Sequence, residues 1–243
     1  MLAKKNKHIR DKDITFKERS HTYNVKGDTG YTSVTKKVHA LFEPFDADKI
    51  IDRMMNSVKW EFSPYFGMTK HAIKSKWKKD GAEASKSGTA MHLMFENYYN
   101  GIDFQSKGVE TDYFRNFVSE HQYLVPYRTE WKVYDKDKRL TGTIDMVFIN
   151  DDGTLSIYDW KRCKSIDHLN NFNKFSICEK ISDIPDTNYW HYSLQLNLYK
   201  YILEQNYGFI VKDMYLVQIH PNQDNYKKIN VPILTEATHN ILS

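Results

Sequence analysis

LTGTIDMVFINDDGTLSIYDWK, residues 140–161, decides the fold. In its first half Thr143, Asp145, Val147 and Ile149 alternate onto one face of a strand, and Asn150-Asp151-Asp152-Gly153-Thr154 then supplies turn chemistry. The stretch therefore reads as a β-hairpin. Closed symmetrically about Asp152, it sets Ile149 opposite Leu155 and Asp145 opposite Asp159 on the same face, with Cβ atoms roughly 5 Å apart. Lys161, two residues on, shares that face. A slip of one residue would send the carboxylates to opposite faces.

Two carboxylates side by side in a half-buried sheet repel, and one takes up a proton unless a cation sits between them. A hard divalent ion resolves the conflict, and a neighbouring lysine then directs its charge at whatever anion that ion binds. The plain alternative is a surface hairpin with Asp145 and Lys161 simply solvated.

Composition narrows the class. With 243 residues and 40% hydrophobic content the chain can bury a real core, and 35 Lys+Arg against 31 Asp+Glu leaves only +4. Any nucleic-acid contact must then come from local patches. Cys163 and Cys178 are the only cysteines and form no CxxC, which rules out a disulfide framework or a four-cysteine zinc or iron–sulfur site and suggests a reducing compartment. No apolar run approaches the ~20 residues of a membrane span. The expectation is a soluble intracellular protein without a membrane partner, cytoplasmic, with the nucleus or a virus- or phage-infected host cell as alternatives. Lys4, Lys5, Lys7, His8 and Arg10 read as a frayed basic terminus, with an import signal or a nucleic-acid arm as the alternative.

Along the chain, residues 14–25 predict a small hairpin followed by a turn at 27–30, and Ser33 or Thr35 an N-cap for a helix to about Leu41. Asp46 caps a helix at 47–55, and another, at 69–79, carries lysines around Trp77 and ends at Gly81. Residues 82–100 predict a helix closed by Gly101, in which Gly88 lies one turn before His92 and leaves room for a close approach. A helix at 109–123 and a strand at 127–134 bearing Glu130 precede the hairpin. The polar stretch 162–187 is long enough for a lid or gating arm. Then come a helix at 188–207 with Gln195 and Tyr199 one turn apart, strands at 214–219 and 226–233, and a last helix at 236–242. The fold class expected is α/β (α+β), one domain over 1–243: a hairpin and helical extension over 1–80, and a core over 81–243 with a central mixed sheet flanked by helices.

Four pieces stand in order: Gly88-(Thr-Ala-Met)-His92, Gly142-Thr-Ile-Asp145, Asp159-Trp-Lys161 and Gln195-Leu-Asn-Leu-Tyr199. Together they resemble the motif series of the RecB-type branch of the PD-(D/E)XK nuclease superfamily. Ser33-Val34-Thr35 and the GxxxH spacing look in particular like the mitochondrial genome maintenance exonuclease and related viral and phage nucleases. The resemblance runs over about residues 21–220. It implies a restriction-endonuclease-like core and Mg²⁺- or Mn²⁺-dependent hydrolysis of DNA phosphodiesters, without the iron–sulfur cluster of some members.

Carried over by position, His92, Asp145, Asp159 and the Trp160 carbonyl would hold metal, Lys161 would orient or activate water, and Glu130 would add an acid. Gln195, Tyr199, Gly88, Ser33 and Thr35 would meet the substrate. An imidazole among oxygen ligands shifts preference from Mg²⁺ toward Mn²⁺. The implied activity is an exonuclease on single-stranded or end-containing DNA in replication, recombination or repair, served by a replication, recombination or single-strand-binding partner protein. The alternatives are a structure-specific endonuclease of the same fold, a non-catalytic DNA-binding scaffold, or a hydrolase of small phosphorylated molecules, for which no Gly-rich phosphate cradle is visible.

Overall fold

A computed structural model describes residues 1–103, 108–170 and 172–243. Its helices are α1 (Leu2–Lys5), α2 (Val34–His39), α3 (Ala47–Met55), α4 (Lys70–Tyr99), α5 (Val109–Glu120), α6 (Asn188–Asn206) and α7 (Thr235–Leu242). Its strands are β1 (Ile14–Lys17), β2 (Thr22–Val25), β3 (Thr32–Ser33), β4 (Val125–Asp135), β5 (Leu140–Ile149), β6 (Leu155–Lys161), β7 (Val211–Gln218) and β8 (Lys227–Asn230). The chain divides into one unit of Met1–Glu43 with Met91–Ser243 and a second of Pro44–Ala90. This differs from the expected extension over 1–80, because β3 joins the main sheet and Val34 and Val38 of α2 enter its core.

In the first unit the hairpin closes as its sequence dictates. Ile149 pairs with Leu155 and Met146 with Tyr158, while Gly153, at φ +79, takes the left-handed turn position that a side chain would resist. The sheet order is β3-β5-β6-β7-β8, with β4 also on β5; β3 and β7 run parallel to their neighbours β5 and β6, and the other pairs are antiparallel. The result is a mixed sheet. One face, with Val147, Leu155 and Ile157, packs on Leu194, Leu198 and Ile202 of α6; the other, with Met146, Phe148, Tyr158 and Trp160, packs on Met91, Met94 and Phe95 of α4 and Phe114 and Phe117 of α5. Fully burying side chains of this size stabilises by roughly 1.5–3 kcal/mol each.

The second unit pairs α3 with the first turns of α4. Asp46 caps α3 by accepting from Lys49 N at 3.0 Å, as its sequence predicts. Lys70 and Lys74 are bound to Asp48 and Asp52 of α3, and Trp77 packs against Phe45 and Tyr65, so part of the expected basic face is neutralised.

Three expectations are corrected. Gly81 does not end a helix: α4 runs unbroken for 30 residues, since a helical glycine costs only about 1 kcal/mol and the flanking Lys, Ala and Glu are good helix formers. The amino terminus is not frayed. Leu2 N donates to Asn100 Oδ1 at 2.8 Å, Asn6 Nδ2 to the Tyr127 carbonyl at 2.7 Å, and Arg10 lies 4.0 Å over the Tyr134 ring. The stretch 162–187, of which Asn171 lies outside the described residues, is no free arm. Ile181 and Ile184 are buried, and Ser176 Oγ and Ile177 N both donate to the Leu41 carbonyl, at 2.7 and 2.9 Å. Among the described residues no helix is long and apolar enough to cross a membrane.

Candidate metal centre

A fork in the sheet creates the site. β4 occupies one edge of β5 along its whole length, so β3 and β6 must share the other, β3 at Leu140–Thr141 and β6 from Met146 onward. Between those pairings the β5 edge is free of a strand. Asp145 stands there, and its Oδ2 accepts from Trp160 N at 2.9 Å, replacing the next bond of the ladder with a side chain. The Asp145–Asp159 juxtaposition read from the hairpin thus falls at the point where the two strands part.

Opposite Asp145 on β4 lies Glu130, at φ +44 in the middle of a strand. A non-glycine residue in that region costs of order 1–3 kcal/mol, and such strain clusters at functional positions. A cavity of about 260 Å³ opens beside it, with Glu96, Asn100, Thr129 and Lys132 in its wall. From α4, His92 Nδ1 comes to 3.6 Å from Asp145 Oδ2 and 3.8 Å from Glu130 Oε1, and His92, Glu130 and Asp145 can offer one ligand atom each within 4.8 Å of one another. His92 Nε2 donates to the Trp160 carbonyl at 3.0 Å, which fixes the ring and turns Nδ1 toward the carboxylates.

Asp159 faces the same side. Lys161 Nζ lies 2.5 Å from its Oδ2, an ion pair between two largely buried side chains. Its Oδ1 accepts from Gln195 Nε2 at 3.4 Å. Burial pushes the Asp159 carboxyl up to about 6; Lys161 opposes the rise and Asp145 adds to it. Burial likewise raises Asp145, against the pull of His92 and with the help of Glu130. For His92 burial disfavours the cation, but Asp145 and Glu130 prevail and lift it to about 9. Lys161 loses solvation on burial, yet Asp159 and Asp145 hold its proton firmly. Three carboxylates against a lysine and a histidine leave the cluster short of positive charge. The donor set suits a divalent cation, being oxygen-rich with one imidazole.

The expected residues separate into groups. His92, Asp145, Asp159, Lys161 and Gln195 converge, and Glu130 belongs with His92 and Asp145 rather than at the margin. The Trp160 carbonyl, expected as a ligand, is engaged by His92. Tyr199, expected at the substrate, is buried. Its ring lies against Gly142, where a Cβ would fall 2.4 Å from Cε1, and it is hydrogen-bonded to Gln195. Ser33 caps α2, accepting from Lys36 N at 3.2 Å, and pairs with Thr141 on the far arm of the fork; Thr35 is exposed on α2. Gly88 lies in the second unit, and a Cβ there would meet nothing within 4 Å.

Two further residues belong to the site. Tyr23 of β2 shares a hydrogen bond of 2.9 Å with Thr143, and the Tyr192 ring lies 4.4 Å from Lys161 Nζ. Tyr192, Gln195 and Tyr199 fall at i, i+3 and i+7, one stripe of a helix, and that period was the available signal for Tyr192. Nothing comparable marks Tyr23.

No family model matches the chain, and no curated protein matches it in sequence. Among solved structures it is similar to one titled "Crystal structure of SSO0001", with 14% identity over 88% of this chain and 73% of that one, and a TM-score of 0.36.

Proposed function

We propose that this chain is a divalent-metal-dependent deoxyribonuclease with a PD-(D/E)XK core, an exonuclease that hydrolyses single-stranded or end-containing DNA. The observation that carries the reading is the convergence of His92, Glu130, Asp145, Asp159 and Lys161 at one fork of the sheet. His92, Glu130 and Asp145 would hold the ion, Mg²⁺ or Mn²⁺, with Asp159 beside them. A bound ion of this kind acidifies water and neutralises charge on a phosphate.

The residues of the chain do the rest. Lys161 keeps its proton and presents a cation beside Asp159, a contact that strengthens as negative charge develops on the phosphoryl oxygens. Gln195 holds Asp159 in place, and Tyr199, wedged against Gly142, holds Gln195. Trp160 sets the direction of His92 through its carbonyl and of Asp145 through its N–H, so the backbone of one residue would orient two of the ligands. A replication, recombination or single-strand-binding protein would deliver the DNA end.

Timed digestion of end-labelled linear and closed circular DNA, single- and double-stranded, with Mg²⁺, Mn²⁺ or chelator tests this reading. Linear single strands should be degraded with metal and spared with chelator, while circles survive. Cleavage of circles would make the enzyme an endonuclease, and intact DNA in both metals would overturn the proposal.

A further inference from the structure

Away from the metal centre, a cavity of about 300 Å³ is lined by Arg10, Val25, Lys26, Asp28, Tyr31 and Tyr134, with Lys136 at its rim. The guanidinium of Arg10 is its unusual feature. It lies 4.0 Å over the Tyr134 ring and 5.1 Å from the Tyr207 ring centroid, Nη2 donates to the Tyr134 carbonyl at 3.0 Å, and Nε is buried without a partner. All these partners are neutral, and among the described residues Arg10 makes no ion pair. A half-buried cation without a counter-charge is costly, and an anion relieves that cost.

The rest of the lining fits an anion. Lys136 is exposed and makes no ion pair among the described residues, and Lys26 is bound only to Asp13, at 3.2 Å. Asp28, the one acid in the wall, is already neutralised by Arg139 at 3.0 Å and accepts from Gly30 N. The rim is also preformed. Gly27 N donates to Asn24 Oδ1 at 2.7 Å, Val25 and Asp28 exchange backbone bonds, and a Cβ at Gly30 would strike Arg139 Nη2 at 2.6 Å, so loop 26–30 is folded down onto Arg139.

We infer that this cavity is a second binding site, for a phosphate monoester, with Arg10, Lys26 and Lys136 taking the phosphate and the rings of Tyr31 and Tyr134 forming an apolar wall for the group esterified to it. The volume suits a mononucleotide-sized ligand. The same chemistry is offered by a free nucleoside monophosphate or by a 5′-phosphorylated strand end. The inference does not rest on the proposed reaction.

Calorimetric titration of the chelator-treated full chain with adenosine 5′-monophosphate, adenosine, inorganic phosphate and a 5′-phosphorylated oligonucleotide beside its 5′-hydroxyl twin tests it. Saturable binding of the monophosphate is expected, about tenfold or more tighter than adenosine. Lys136→Glu, on an exposed turn, and Arg10→Gln should each weaken it by a similar factor; an unchanged melting curve for Lys136→Glu separates lost binding from lost folding. Asp145→Asn should leave it intact. A preference for the phosphorylated oligonucleotide over its twin identifies strand ends as the source, and no preference identifies the free monoester; both support the site. Binding that ignores the phosphate, survives both pocket variants or vanishes in Asp145→Asn would overturn the inference.

Discussion

Two carboxylate clusters flank the same strand and are built to opposite standards. Asp11 accepts from Arg128 Nη1 at 2.8 Å, from Trp131 Nε1 at 3.0 Å and from His8 N at 2.9 Å. Burial alone would raise its pKa, but those donors, Arg128 foremost, bring it below the usual carboxylate value. Between Arg128 and Trp131 on β4 sits Glu130, in whose cluster burial, with the neighbouring carboxylates adding to it, pushes Asp145 and Asp159 up. The first cluster is complete within the chain. The second is left short of positive charge, and that imbalance underlies the proposed cation site.

The largest expected effect lies in the second cluster. Lys161→Ala and Asp145→Asn should each lower metal-dependent DNA cleavage on the order of 10³-fold or more, while Asp159→Asn, equally inactive, should melt no lower than wild type without metal because it relieves repulsion. Steady-state digestion beside metal-free thermal melts checks both halves; strong destabilisation by Asp159→Asn would break the comparison. In the first cluster the sign reverses. Asp11→Ala strands Arg128, whose side chain is only 6% exposed, and should cost about 3 kcal/mol in urea unfolding, the low end for a broken buried pair because Asp11 itself keeps 27% exposure.

Gly142→Ala should cost about 2 kcal/mol by driving a methyl group into the Tyr199 ring, with much of the loss recovered in the double variant Gly142→Ala/Tyr199→Leu. Additive costs would remove Tyr199 from its positioning role.

The pH dependence of metal-free stability separates the clusters more finely. Asp11 has a lowered pKa, so its contribution is present above the ordinary value of 3.8 and is lost as pH falls through the lower folded one. Asp159 is raised to about 6, so its penalty grows as pH rises from 3.8 to about 6 and is full above that. His92, raised from 6.5 to about 9, contributes stability below 6.5 that is lost as pH rises through 9. Acidifying the chelated protein from pH 9 to 5 should therefore stabilise it, and acidifying below about 4 should destabilise it. Melts of His92→Gln and Asp159→Asn should flatten the first trend and leave the second. Gly88→Ala has the smallest effect, a gain of about 0.5–1 kcal/mol, because the site is helical and open. A gain in stability with a loss of cleavage would show that the bare backbone there serves the substrate.

How much of this was legible in the sequence differs by element. The hairpin register was legible because a period of two around Asp152 admits one pairing that buries Val147 and Ile157 together. Asp46 announced its cap by residue type and position, and of Ser33 and Thr35, both open for α2 in the sequence, Ser33 takes the role. The fork was not legible, since it arises when two strands distant in sequence dock on one edge of β5. Glu130 entered the centre through a left-handed backbone that no side-chain pattern encodes. The anchoring of Arg10 was hidden for a similar reason: its partners Tyr134 and Tyr207 lie more than a hundred residues away, while a basic terminus by itself reads as solvated.

Calorimetric titration of Mn²⁺ into chelator-treated wild type, Asp145→Asn and Asp11→Asn tests whether the fork is the proposed cation site. Wild type should bind saturably, Asp11→Asn should bind as tightly, and Asp145→Asn should be weakened on the order of 10- to 100-fold or more. Binding that is absent from wild type, or equally strong in Asp145→Asn, would contradict it.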